Sequence, residues 1–286
     1  IDDRIPPAHN IITANEGNAV ALAAGYYLAT TKIPLVYMQN SGLGNAVNPL
    51  LSLCDSEVYS IPMVMMIGWR GEPGVKDEPQ HIKQGKVQLD LLEALDLPYE
   101  IISKDDDQFV MKISNVIKTS KAESRPTVLL IKKGTFKKYT KKYQKSQNQY
   151  MNREKALKII LDNLDDQDLI VSTTGKTSRE IYEIREKGHK SHQQEFLTVG
   201  SMGHCSSIAL GIALAKPNRK VICIDGDGAM LMHLGSLTSI ASLKPKNFYH
   251  ILMNNEAHES VGGQDTAAKN INLSAVVKAM GASKMF

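Results

Sequence analysis

Several features that would direct a reading elsewhere are scarce or missing. Aromatic residues make up 6% of the 286 positions, and tryptophan occurs once. No run of about 18 apolar residues exists, which excludes a membrane-spanning helix. Three cysteines (Cys54, Cys205 and Cys223) lack CxxC spacing, so neither a disulfide framework nor a zinc ribbon is expected. They read as reduced, structural thiols of a cytoplasmic protein. Neither sign of charge dominates: 34 Lys and Arg stand against 30 Asp and Glu, and the net charge of +4 does not by itself imply nucleic acid. No close internal repeat or low-complexity run is present. Hydrophobic content of 42% with 22% charged residues describes a globular chain long enough for about two domains.

What is present alternates between helix and strand signals. Asn15 can cap a helix over 16–29. Apolar runs at 34–38, 63–67 and 127–131 read as strands, with helices over 89–95 and 109–118. After the lysine- and tyrosine-rich stretch 132–152, a second series begins. It comprises a helix over 153–164, a strand over 168–171, and buried parallel strands at 221–224 and 248–253. Met230, Leu234, Leu237 and Ala241 form one helical stripe between the last two strands. The expected fold class is α/β, in two domains (1–135 and 153–286) joined by a basic linker (136–152). The linker's lysines and tyrosines could track a nucleic-acid backbone, but a solvated connection is the simpler account, and no nucleic-acid or membrane partner is expected.

The most informative pattern is Gly226-Asp227-Gly228 at one strand tip and Asn254-Asn255 at the next. Ala229 through Met253, 25 residues, separate the two. A βαβ unit brings both tips to the carboxyl ends of parallel strands, where open α/β sheets bind ligands. Gly226 and Gly228 let backbone approach a phosphate, and a helix from Ala229 would offer free N–H groups. Acidic and amide oxygens there suit Mg²⁺ bridging a diphosphate. Gly175-Lys176-Thr177 invites a P-loop assignment, but the glycine that motif needs five residues before Gly175 is Ile170.

Gly-Asp-Gly followed by a helix, a strand and Asn-Asn resembles the binding motif of the thiamin diphosphate-dependent decarboxylases. That resemblance implies two cofactor-binding domains, pyrimidine then pyrophosphate, each a mostly parallel sheet flanked by helices. It implies thiamin diphosphate and Mg²⁺ as cofactors, with Asp227, Asn254 and the Glu256 carbonyl as metal ligands. Thr174, Gly175 and Lys176 match the loop that touches the diphosphate; helix capping is their alternative. In Gly200-Ser201-Met202-Gly203, Gly200 would accept from the cofactor's amino group and Met202 would hold it bent, although a core methionine is the simpler use of Met202 alone. Glu16 matches the glutamate that activates the pyrimidine, and its alternative is a surface residue in a helix's first turn. In the family this glutamate serves cofactor held by another subunit, so a homodimer or higher homo-oligomer with sites at the subunit interface is implied.

Within the family, Ala14–Ala19, Tyr37–Asn45, Gly68–Gly74, Lys76–His81 and Asn254–Gln264 are similar to the phosphonopyruvate and sulfopyruvate decarboxylases. The implied activity is decarboxylation of 3-phosphonopyruvate to phosphonoacetaldehyde in phosphonate biosynthesis, with sulfopyruvate as the alternative substrate. Asn40, Ser41, Arg70, His81 and Gln84 are the implied substrate residues, and His258 a catalytic one. Loop charge, turn chemistry and ordinary polar histidines are their bland counterparts. The chain begins at Ile1 rather than Met and stops soon after the motif. A fragment is therefore expected, incomplete at the first domain's N-terminus and the second's C-terminus.

Overall fold

Strands with apolar side chains on both faces organise each half of the chain. The computed structural model describes residues 5–137, 151–259 and 262–281. The chain divides into two compact units, 1–144 and 145–286. Most of the expected linker, including Lys138, Lys141, Lys142 and Lys145, lies outside the described residues.

The first unit contains α1 (Glu16–Thr30), β1 (Leu35–Gln39), α2 (Leu43–Pro49), β2 (Met63–Gly68), α3 (Pro79–Lys86), α4 (Gln88–Ala94), β3 (Tyr99–Ile102), α5 (Phe109–Glu123) and β4 (Pro126–Ile131). Its sheet is wholly parallel, in the order β1-β2-β4-β3. Successive strand side chains point to opposite faces; both faces are covered at β2 and β4, while β1 leaves Leu35 and Tyr37 exposed. Met63, Met65 and Ile67 of β2 join Val128 and Leu130 of β4 in a core with Val20, Ala24 and Leu43. Val64, Leu129 and Ile131 face the other way, onto Val116 of α5. That two-sided burial is why these strands read as unbroken apolar runs. The helix cap falls where expected, with the Asn15 side chain accepting from the Asn18 N–H at 2.9 Å.

The second unit contains α6 (Arg153–Asp162), β5 (Leu169–Ser172), α7 (Lys176–Lys187), β6 (Glu195–Leu197), α8 (Cys205–Ala215), β7 (Val221–Gly226), α9 (Asp227–Met232), α10 (Ser236–Leu243), β8 (Phe248–Met253) and α11 (Leu273–Ala279). Its sheet is also parallel, in the order β6-β5-β7-β8. Val221 and Cys223 pack against α8, while Ile222 and Ile224 pack with Leu157 and Ile181 on the opposite face. Among the described residues no helix is long and apolar enough to cross a membrane.

Two expectations need correction. The stripe from Met230 to Ala241 is not one helix but two, and the first begins at Asp227 rather than Ala229. The chain breaks at His233, whose backbone leaves helical values (φ −133°, ψ 49°). There its ring packs over Gly203 and lies 4.4 Å, centroid to centroid, from the His204 ring. Met230 and Leu237 nevertheless share one buried cluster. The short strands β3 and β6 were not anticipated, because edge strands carrying Glu100 and Glu195 lack an apolar signature.

Leu130 is fully buried at the centre of the first sheet. Leu130→Ala should cost that unit about 2–5 kcal/mol. The single tryptophan, buried Trp69, belongs to the same core and gives the readout. The check is the urea midpoint of Trp69 emission, which should fall.

Candidate functional site

In the second unit, loops at the carboxyl ends of β5, β7 and β8 enclose a cavity of about 160 Å³. Asp227, Gly228 and Ala229 line it from the start of α9, and Asn254 and His258 from the loop after β8. Thr174, Lys176, Met202 and Gly226 complete the part that the sequence singled out. Gly175 and Gly200 are not among the lining residues. They occupy the turns just outside it, Gly175 with a φ of 94° that favours glycine. The Thr174 hydroxyl donates to the Val199 carbonyl at 2.7 Å, tying those two turns together.

Asp227 is 2% exposed. The Thr266 hydroxyl donates to one of its oxygens, and the Asn255 N–H lies 3.5 Å from the other. No ion pair to Asp227 exists among the described residues. A buried carboxylate in this condition is costly unless a cation reaches it. The loop that delivers Asn254 is internally braced. Asn254 Oδ1 accepts from the Glu256 N–H at 3.2 Å, and the Glu256 carbonyl accepts from the Thr266 N–H at 2.9 Å. Gly228 lies close against the His258 ring, which a Cβ there would approach to 3.0 Å, so a larger residue would have to displace the ring.

Residues 173–285 match the thiamine pyrophosphate enzyme C-terminal TPP binding domain, and residues 6–93 the corresponding N-terminal TPP binding domain. A phosphonopyruvate decarboxylase of Streptomyces viridochromogenes is 34% identical over 96% of this chain and 71% of its own length. The chain belongs to the thiamine pyrophosphate enzyme family. A second phosphonopyruvate decarboxylase, from Streptomyces hygroscopicus, is 35% identical over 95% of this chain and 69% of its own length. A sulfopyruvate decarboxylase of Methanosarcina acetivorans is 32% identical over 88% of the chain and 68% of its own length.

Oxygen ligands at the TPP-domain cavity come from the Asp227 carboxylate and the Asn254 amide; Glu256 does not line it, and its carbonyl, two residues past Asn254, accepts from the Thr266 N–H. Each accepts hydrogen bonds that leave further lone pairs, so the set fits a hard cation such as Mg²⁺. Cavity residues not anticipated from sequence include Arg153 and Glu259. Arg153 read as the first residue of an amphipathic helix. Its Nη1 donates to Glu259 Oε2 at 2.6 Å, a contact across 106 positions that no local pattern reveals.

In the first unit, Glu16, Asn40, Ser41 and Arg70 come together at the carboxyl ends of β1 and β2. Glu16 Oε2 accepts from Asn45 Nδ2 at 2.9 Å, and its side chain lies over Gly42, where no Cβ would fit. Asn40 is buried and committed to backbone. Its Nδ2 donates to the Arg70 carbonyl at 2.9 Å, and its Oδ1 accepts from the Arg70 N–H at 3.0 Å. It therefore positions the Arg70 loop. Ser41 donates to Gln39 Oε1 at 3.2 Å. His81 and Gln84 sit on α3, with Nδ1 and Oε1 3.4 Å apart. Arg70 is not the free cation expected. Its Nε and Nη2 bind Asp77 at 2.8 and 2.5 Å, and the same carboxylate accepts from the Gly71 N–H at 2.8 Å.

The guanidinium hydrogen bonds hold the Asp77 carboxyl well below the usual carboxylate range. A depressed folded-state value contributes stability above the unfolded pKa of about 4, and that contribution fades as pH falls through the lower value. Asp77→Asn should lower the stability of this unit by about 1–3 kcal/mol near neutral pH. The gap between the two Trp69 urea midpoints should close as pH drops below about 4.

Proposed function

We propose that this chain catalyses the thiamin diphosphate- and Mg²⁺-dependent decarboxylation of 3-phosphonopyruvate, releasing CO₂ and phosphonoacetaldehyde. The observation that carries this reading is 34–35% identity to two phosphonopyruvate decarboxylases across 95–96% of the chain. The domain bounds proposed are 1–135 for the pyrimidine-binding domain and 153–286 for the pyrophosphate-binding domain. When bound, thiamin diphosphate supplies the electron sink that a 2-oxo acid needs to lose CO₂.

The chain's own residues bind, orient and manage protons. Asp227, Asn254 and the Glu256 carbonyl hold Mg²⁺, and Thr174, Gly175 and Lys176 meet the diphosphate. Gly226, Gly228 and Ala229 let backbone come close to it. Gly200 would accept a hydrogen bond from the cofactor, and Met202, which lines the cavity, would pack against it. Glu16 holds a proton at its carboxyl against the pyrimidine ring, with Asn45 fixing the carboxylate's orientation. The reading includes a homodimer or higher oligomer in which Glu16 serves cofactor held by another copy. His258, over Gly228, is placed to handle a proton near the metal. On the substrate side, Ser41, His81 and Gln84 are the polar groups proposed for the C3 anion, while Asn40 and Arg70 shape the loop.

Purified protein with thiamin diphosphate and Mg²⁺ should release CO₂ fastest from phosphonopyruvate when compared with sulfopyruvate and pyruvate. Turnover of sulfopyruvate alone would replace the substrate assignment with that of the sulfopyruvate relative. Glu16→Gln should lower kcat by about 100-fold or more, while calorimetric affinity for thiamin diphosphate stays close to wild type. An unchanged kcat would remove Glu16 from the mechanism.

A further inference from the structure

Around the cavity rim, three groups form a chain that the cofactor motif does not explain. Glu259 accepts from Arg153 Nη1 at 2.6 Å through Oε2 and pairs with Lys176 Nζ at 2.9 Å through Oε1. Arg153 turns its Nε and Nη2 to Glu180, at 2.8 and 2.6 Å. A carboxylate beside a cavity meant for a diphosphate is electrostatically wrong, because like charges at short range repel. Glu259 is held ionised all the same. Arg153 first, then Lys176, bring its carboxyl down to about 2.

The three groups differ in how firmly they are held. Three nitrogens of Arg153 are engaged with two carboxylates, and its side chain is 20% exposed. Lys176 makes one contact to Glu259, and its side chain is 47% exposed. An ammonium has three N–H donors, and a half-exposed ion pair is worth little, so exchanging its partner is cheap. Lys176 is therefore the group free to change partner, and Arg153 the fixed one.

We propose that Glu259 is a stand-in anion: in the free protein it holds Lys176 at the rim of the cavity, and an incoming diphosphate takes Lys176 from it. This rests on the reading of the cavity as a diphosphate site. Before binding, Glu259 keeps the two neighbouring cations from repelling each other and keeps Lys176 in place. After the exchange it remains on Arg153. Asn255 Nδ2 lies 3.4 Å from Glu259 Oε2, so the exchange takes place beside the loop that presents Asn254.

Glu259→Gln separates this role from simple loop anchoring, since a glutamine oxygen still accepts from Arg153 while the competing charge is gone. Calorimetric titration of the full chain with inorganic diphosphate plus Mg²⁺, and with thiamin diphosphate plus Mg²⁺, supplies a readout independent of turnover. Both ligands should bind the variant about three- to ten-fold more tightly than wild type. Glu259→Ala should move affinity in the same direction, and thermal unfolding confirms that each variant is folded. Lys176→Gln should weaken binding, and adding Glu259→Gln to it should recover much less than in wild type. Unchanged or weaker binding by folded Glu259→Gln overturns the proposal. So does a full gain in the Lys176→Gln background, which would mean repulsion without exchange. If wild type binds neither ligand, the diphosphate reading falls as well; if wild type binds and the variants do not tighten, the stand-in role alone falls.

Discussion

The Asp227 carboxylate stands at the end of the central strand of the second sheet, out of contact with water. Among the described residues its partners are a hydroxyl and a distant backbone N–H. Desolvating an ionised carboxylate costs several kcal/mol unless a cation or a full set of hydrogen bonds answers it. Much of the surrounding construction follows from that requirement. β7 carries Asp227 into position, Gly228 leaves space for the His258 ring, and Thr266 returns from beyond the loop to hold one oxygen. The other oxygen faces the Asn255 N–H.

The first unit solves a different problem with similar means. Close backbone approach at Gly42 lets the Glu16 side chain lie flat against the strand-end turn, and Asn45 fixes its carboxylate. Asn40 and Asp77 spend their polar atoms on the Arg70 loop. The result is a rigid shelf beside Glu16 whose most obvious cation is already neutralised. The more exposed polar groups nearby are His81 and Gln84 of α3, within 3.4 Å of each other.

Much of this was legible in the chain before folding. β2, β4 and β7 are buried on both faces, so their sequences are almost purely apolar, and the glycine and asparagine signals at their tips mark the loops. The pairing of Asp227 with Asn254 was readable because each stands at the tip of an apolar strand run and together they resemble a known motif. β3 and β6 were not readable, being short edge strands with an acidic residue in each. The break at His233 was hidden because Met230 and Leu237 still share a face across it. The pairings of Arg70 with Asp77 and of Arg153 with Glu259 depend on where loops come to rest, which residue type and spacing do not encode.

Thermal unfolding of the purified chain in four conditions tests the central claim most directly: no addition, Mg²⁺ alone, thiamin diphosphate alone, and both together. A ligand that binds the folded state raises the transition by mass action. If Asp227 awaits a metal that also binds a diphosphate, the two together should raise the midpoint well beyond the sum of their separate effects, and Asp227→Ala should abolish that excess. Equal midpoints in all four conditions, or an excess that survives Asp227→Ala, would contradict the account.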